Sequence, residues 1–355
     1  MLQVIWSAQY QNTPETTTLV RDMKFRHFAF FVILILLGVF IVKNAGRLGE
    51  LLTLLSQVNI WILLFIIPLR YGYYWANTRF YQVFFRLFKK RLAYKELVSG
   101  VVSMNFVNTV IPTGGVSGAA FFAQIYRKKI TNRESYLAQF FWYIATFLSI
   151  MIVLMASYVL LFFSSSIQQA SFRIILVIMS LLLFLSVVII GILINRKVFQ
   201  KVLFILTRPA NFVLRLLRRG KIGEAETERF VHGFMDLLSL FANRPKRALK
   251  PFWYAFYCIL FELLSIFVVY LAFGKLINPG IIGSAYVFAL IFSLTSFFTS
   301  GIGAYEATMV GVSVALGVDL PLAVSVTAIY RIIALWLFIP VGLYFYKHQT
   351  IDRAE

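Results

Sequence analysis

The stretch PTGGVSG, Pro112 to Gly118, and a later one, TSGIGAYE, Thr299 to Glu306, each interrupt a long apolar run. Glycine and proline at this density cannot continue a regular helix. An unsatisfied backbone N–H or C=O in hydrocarbon costs several kcal/mol, so a bilayer accepts such a break only where protein or a cavity covers it. The apolar runs around the breaks are Phe25 to Val42, Leu51 to Leu69, Ser135 to Phe163, Ile174 to Ile194, Pro251 to Phe273 and Leu322 to Tyr346. Most approach or exceed the roughly 20 residues that a helix needs to cross about 30 Å of hydrocarbon.

Composition agrees with this class. Of the 355 residues, 60% are hydrophobic and 17% aromatic, and the mean hydropathy is +0.82. The 37 phenylalanines and 18 tyrosines are read mainly as lipid-facing and interfacial anchors. Cys258 is the only cysteine, which excludes an intramolecular disulfide and a CxxC site. His27, His232 and His348 are scattered, each near a basic segment or a chain end, and do not form a metal-binding pattern. No cofactor is expected.

The net charge of +20 could indicate nucleic acid, but its placement argues otherwise. Of 34 Lys and Arg, 23 fall within residues 79–95, 127–133 and 196–250, between apolar runs. The positive-inside rule reads these segments as cytoplasmic, with anionic phospholipid headgroups as their partner and no nucleic acid. The first twenty residues are polar and lack the basic n-region and cleavage site of a signal peptide, and residues 1–24 read as a flexible tail. The stretch RFYQVFFRLFKKRLAYK, residues 79–95, reads as an interfacial amphipathic helix that follows a membrane exit through Pro68 and Arg70. Residues 196–250 read as basic interfacial helices forming a cytoplasmic connector.

Topology follows from these charges. Residues 97–126 have basic segments at both ends and PTGG in the middle. Their arms, roughly 22 and 16 Å long as helix, do not comfortably span the bilayer, so they predict a re-entrant hairpin entered from the cytoplasm. The second break sits in a hairpin entered from outside. The expected fold is all-α and polytopic, with about six full transmembrane helices and two re-entrant hairpins. The first half, 25–163, is repeated in inverted orientation by the second, 174–346, with 347–355 a C-terminal tail and both termini cytoplasmic. Gly114 lies 21 residues before Ser135, and Gly301 lies 21 before Leu322, which supports duplication. Inverted repeats bring two such tips toward the midplane from opposite faces, an arrangement suited to alternating access.

Few residues in this frame carry chemistry. Glu306 follows the second break and Arg331 lies in the last span; intramembrane charges usually face a cavity or each other. The pair reads either as a structural lock between hairpin and span or as a headgroup site, because a guanidinium released from its carboxylate can take a lipid phosphate bidentately. Glu262 lies mid-span without a sequence-local cation. It lines a polar path or makes a helix–helix hydrogen bond. Asn105 and Asn108 stand one turn apart on the arm before the first break, where their amides can satisfy backbone groups freed by Pro112, Gly114 and Gly115. N–H groups exposed after Gly115 can receive an anionic phosphate. PTGGVSG lacks the GKS/T ending of a Walker loop, and small residues also serve ordinary helix packing.

The ordered set N-x-x-x-P-x-G-G-x-x-G at Asn108, Pro112, Gly114, Gly115 and Gly118, S-G-x-G-x-x-E at Ser300, Gly301, Gly303 and Glu306, Gly317-Val318, and Tyr330-Arg331 resembles a known family. This is the transmembrane flippase-like domain of bacterial lysylphosphatidylglycerol synthases, which also occurs as a stand-alone protein. The resemblance covers roughly 25–346 and adds Tyr330 to the candidate substrate-binding or gating residues. Members often carry an acidic residue after the glycine matched by Gly118, where this chain has Ala119, and a proline where it has Thr299. The resemblance implies a multi-pass protein of the cytoplasmic membrane that moves a phospholipid or lipid-linked headgroup. The bifunctional relatives carry a cytosolic aminoacyl-transferase domain. None follows up to Glu355, so a non-enzyme is expected. The alternatives are a scaffold for a separate lipid-modifying enzyme, a membrane-embedded lipid transferase and a small-solute transporter.

Overall fold

The computed structural model describes residues 58–110, 115–163, 170–216, 223–243, 245–295 and 303–351, and among them it contains helices and no strand. After a single helical turn at Ile60–Leu63 come α1 (Ile66–Leu87), α2 (Tyr94–Val110), α3 (Val116–Ile125), α4 (Asn132–Phe162) and α5 (Ala170–Ile194). Then follow α6 (Arg196–Leu216), α7 (Glu224–Asn243), α8 (Pro245–Ala272), α9 (Pro279–Thr295), α10 (Ala304–Ala315) and α11 (Leu320–Arg331). A π-helical turn at Ile332–Trp336 leads into α12 (Phe338–Ile351). The apolar run Phe25 to Val42, the tail 1–24, Pro112, Gly114, Ser300 and Gly301 lie outside the described residues.

Among the described residues four stretches are long and apolar enough to cross a membrane: Asn132–Phe162, Arg173–Ile194, Leu249–Ala272 and Leu320–Gln349. Pro279–Ser293 is a shorter apolar helix. The protein is an all-α polytopic membrane protein. On α5 the large side chains Ile174, Val177, Leu181, Phe184, Leu185 and Val188 are exposed. Their spacing covers one helix face, which hydrocarbon solvates without penalty and water would not.

Residues 79–95 differ from the sequence reading. No separate helix starts at Arg79; α1 runs unbroken from Ile66 to Leu87. Pro68 falls in its first turn, where a backbone N–H has no intrahelical partner to lose. Phe80, Tyr81, Phe84 and Phe85 are buried. Phe80 packs on Phe141 at 6.0 Å and Trp142 at 4.9 Å between ring centroids, and Phe85 stacks on Phe122 at 5.8 Å. Arg79 on the same helix donates to Gln82 Oε1 at 2.7 Å and lies over the Tyr94 ring. The rings are thus the buried face of α1, whereas of the cations only Arg79 and Arg86 lie on that helix, Lys89, Lys90 and Arg91 lie in the turn that follows and Lys95 lies on α2.

Helices α2 and α3 form a helical hairpin. Near its tip the Gly118 N–H donates to Asn108 Oδ1 at 2.9 Å; at its base the Tyr126 hydroxyl donates to the Glu96 carbonyl at 2.6 Å, and Lys129 pairs with the Glu96 carboxylate. Helices α9 and α10 pack together as the second hairpin. The docking of the two hairpins is reciprocal. The first arm of hairpin one, α2, lies along α12, while the first arm of hairpin two, α9, lies along α4. Each hairpin thus leans on the last span of the opposite half. Both contacts close over a glycine. A Cβ at Gly342 would stand 2.7 Å from Phe106 Cβ, and one at Gly280 would stand 3.0 Å from Leu160 Cβ. Lipid supplies no hydrophobic force between helices, so such close approaches carry the association through dispersion.

Candidate functional site

Helices α1 and α8 pack together where Gly72 meets the Phe261 ring; a Cβ there would come within 2.6 Å of it. This approach brings Arg70 and Glu262 face to face. Arg70 donates Nη1 to Glu262 Oε1 at 3.1 Å, Nη2 to Oε2 at 2.5 Å, and Nη2 also to Ser265 Oγ at 3.1 Å. The Tyr330 hydroxyl donates to Glu262 Oε2 at 2.5 Å. Both charged side chains are mostly buried, 14% and 12% exposed. A lone charge at that depth would be prohibitive, which explains why the two occur together.

The second ion pair is built on the other hairpin. Gly303 holds φ at +91°, in the left-handed half of backbone space, and begins α10. That backbone directs its N–H to Glu306 Oε2 at 2.6 Å, while Arg331 Nε donates to Glu306 Oε1 at 2.5 Å. One carboxylate therefore holds both the tip backbone and the last span. The Arg331 guanidinium lies 4.5 Å from the centre of the Tyr305 ring, and Tyr305 stacks on Tyr330 at 6.5 Å. Here the burial is partial, with Arg331 16% and Glu306 30% exposed.

Tyr330 and Arg331 are consecutive, so one turn of α11 serves both carboxylates. The π-helical turn begins at the next residue, and Leu337 N–H reaches back to the Ile332 carbonyl. Such wide turns inside α-helices are frequent at functional positions. The four charges of the cluster, Arg70, Glu262, Glu306 and Arg331, sum to zero.

The other candidates stand around the first hairpin. Gly115, with φ at +84°, begins α3, and a Cβ on it would collide with the Tyr143 hydroxyl. Gly118 is covered by the Asn108 amide that accepts its N–H. Asn105 donates to Asn77 Oδ1 on α1 at 2.9 Å, fastening the arm to the bundle. The structure thus gathers Glu262, Glu306, Tyr330 and Arg331 into one network and places Asn105, Asn108, Gly115 and Gly118 at the other tip.

Arg70, Tyr305 and Ser265 enter the network without having been singled out in the sequence. The signal for Arg70 was present: Glu262 is an intramembrane acid without a local cation, and Arg70 is a lone cation in an apolar stretch. Reading Pro68–Arg70 as a membrane exit hid it. Among the described residues no group of three or more His, Cys, Asp or Glu is placed to hold a metal ion.

The family described as the lysylphosphatidylglycerol synthase TM region matches residues 27–342. The chain belongs to this family. The match spans both hairpins, the α1–α8 pair and most of the last span, so both ion pairs lie within the lysylphosphatidylglycerol synthase TM region. No curated protein and no solved structure matches the chain. Family membership gives a multi-pass membrane protein with a lipid-related role.

Proposed function

We propose that this lysylphosphatidylglycerol synthase TM-region protein moves a phospholipid or lipid-linked polar headgroup across the cytoplasmic membrane. In this reading the hairpins are re-entrant, entering from opposite faces, and both termini are cytoplasmic. The headgroup passes between the hairpins while the acyl chains remain in lipid. The observation that carries the reading is the partly exposed Glu306–Arg331 pair, which joins the tip of hairpin two to the last span. A phosphate has the geometry and charge to replace Glu306 on the Arg331 guanidinium. The exchange would free the Gly303 tip and the turn bearing Tyr330 together, coupling headgroup binding to movement of the hairpin. Reciprocal docking of each hairpin on the opposite half supports a two-fold exchange of inward and outward access. The protein itself makes and breaks no covalent bond in this scheme, and membrane phospholipids are its partners.

The test is reconstitution of the full chain in liposomes carrying headgroup- or tail-labelled phospholipids, with transbilayer movement read by quenching of the outer leaflet. Movement in wild type and its loss in R331Q are expected. No movement across a panel of anionic, zwitterionic and aminoacylated lipids would overturn the proposal. A strict requirement for an ion gradient with water-soluble substrates would replace it with solute transport.

A further inference from the structure

A second cationic site lies where α4 and α5 meet the connector helices, away from both ion pairs. Arg133 stands in the first turn of α4, inside the capping box in which Thr131 and Glu134 satisfy each other's backbone N–H groups. Its guanidinium lies on the backbone of α7 at Gly233, where an added Cβ would be 2.6 Å from Nη2. Arg196 opens α6, separated from the end of α5 at Ile194 by the single residue Asn195, and its Nη2 stands 3.1 and 3.0 Å from the two ring nitrogens of His232. His232 and Gly233 are consecutive, so the two guanidiniums converge on one turn of α7. Arg133, Arg196 and His232 are all exposed.

Neither guanidinium has a carboxylate partner among the described residues. Glu228 and Asp236 flank His232 one turn away on the exposed face of α7, and Glu134 beside Arg133 is taken by Lys90 and the Thr131 N–H; none of the three pairs with Arg133 or Arg196. With no carboxylate paired to either guanidinium among the described residues, an anionic ligand on this turn gains charge-assisted hydrogen bonds from both. Its depth selects the ligand. The site is anchored beneath by an apolar cluster of Phe199, Val231 and Phe234 packed on Phe140, Ile144 and Leu193 of α4 and α5. Ile194, Val198 and Ile205 beside it remain exposed and apolar. The guanidiniums therefore sit where a hydrocarbon-facing surface gives way to a polar one, the level of lipid phosphates.

We propose that Arg133 and Arg196, set on the His232–Gly233 turn of α7, form a binding site for the phosphate of an anionic phospholipid in the leaflet that faces the connector. The lipid would fasten α6 and α7 to the spans; this site does not depend on the translocation reading.

The experiment uses the purified full chain in neutral detergent, with phosphatidylglycerol, phosphatidylcholine or inorganic phosphate added, and native mass spectrometry to count retained lipid. At about a tenfold energy step per 1.4 kcal/mol and about 1 kcal/mol for each basic residue at the surface, R133Q/R196Q should retain phosphatidylglycerol roughly thirtyfold more weakly. R133K/R196K should retain most of it. G233V, which keeps both charges but displaces Arg133, should also weaken retention. R173Q, at the far end of α5, should leave it unchanged. Equal retention by wild type and R133Q/R196Q, or equal retention of phosphatidylcholine, would overturn the proposal. Retention of inorganic phosphate but not of phosphatidylglycerol would also overturn it, in favour of a soluble anion. G233V and the lysine variant keep the test decisive if the double glutamine variant does not fold.

Discussion

Arg70 and Glu262, 192 positions apart in the chain, meet as a two-point ion pair between α1 and α8, and Tyr330 of α11 closes the same carboxylate. Three helices from both halves of the chain are thereby held at one buried point. The neighbouring Arg331 extends the connection to the tip of hairpin two through Glu306. Nothing along the chain places these residues together.

Removing one partner of the buried pair leaves the other uncompensated. R70Q or E262Q should destabilise the protein by about 3–5 kcal/mol, whereas R70M/E262L should cost less than the sum of the two single changes. Thermal unfolding in detergent, analysed as a double-mutant cycle, gives the coupling. Strict additivity would mean that the contact contributes nothing.

Glu306 has two separable roles. In E306Q the side-chain carbonyl still accepts the Gly303 N–H, so stability should fall by only about 1 kcal/mol, while Arg331 loses its charge partner. Under the proposed function R331Q should slow transbilayer movement about tenfold or more. R331K should fall between R331Q and wild type, because an ammonium cannot bind phosphate bidentately. The liposome assay measures all three, with thermal unfolding as the control for folding.

Gly115 needs both its backbone freedom and its missing Cβ. G115A should destabilise hairpin one by about 1–3 kcal/mol. Adding Y143F to G115A should restore little, since it removes only the steric part and leaves the left-handed φ. Denaturant-induced unfolding of the two variants distinguishes strain from crowding.

The reciprocal docking predicts matched effects at distant positions. G342V presses against Phe106 and G280V against Leu160 and the Ser157 backbone. Each should loosen one hairpin and destabilise by about 1–3 kcal/mol, the usual cost of overpacking. Limited proteolysis should then expose cleavage at the hairpin that each glycine supports.

Much of this architecture was legible in the sequence. Run length and hydropathy mark Ser135 to Phe163 and Ile174 to Ile194 as spans because covering about 30 Å of hydrocarbon is a local requirement on one helix. Glycine at 115 and 303 marks the starts of α3 and α10 for an equally local reason, the left-handed φ that each adopts. Glu306 and Arg331 were visible as intramembrane charges, 25 residues apart and both beside features readable from the chain.

The sequence by itself therefore determined the membrane class, the two breaks and the charges that need partners, since each depends on one segment and its solvent. Only the tertiary structure decided which partner each charge has. That Phe80, Tyr81, Phe84 and Phe85 lie inside the bundle depends on Phe122, Phe141 and Trp142, which reach them from α3 and α4. Arg70 finds Glu262 only because Gly72 lets α1 approach Phe261, and that packing is set between helices rather than within them.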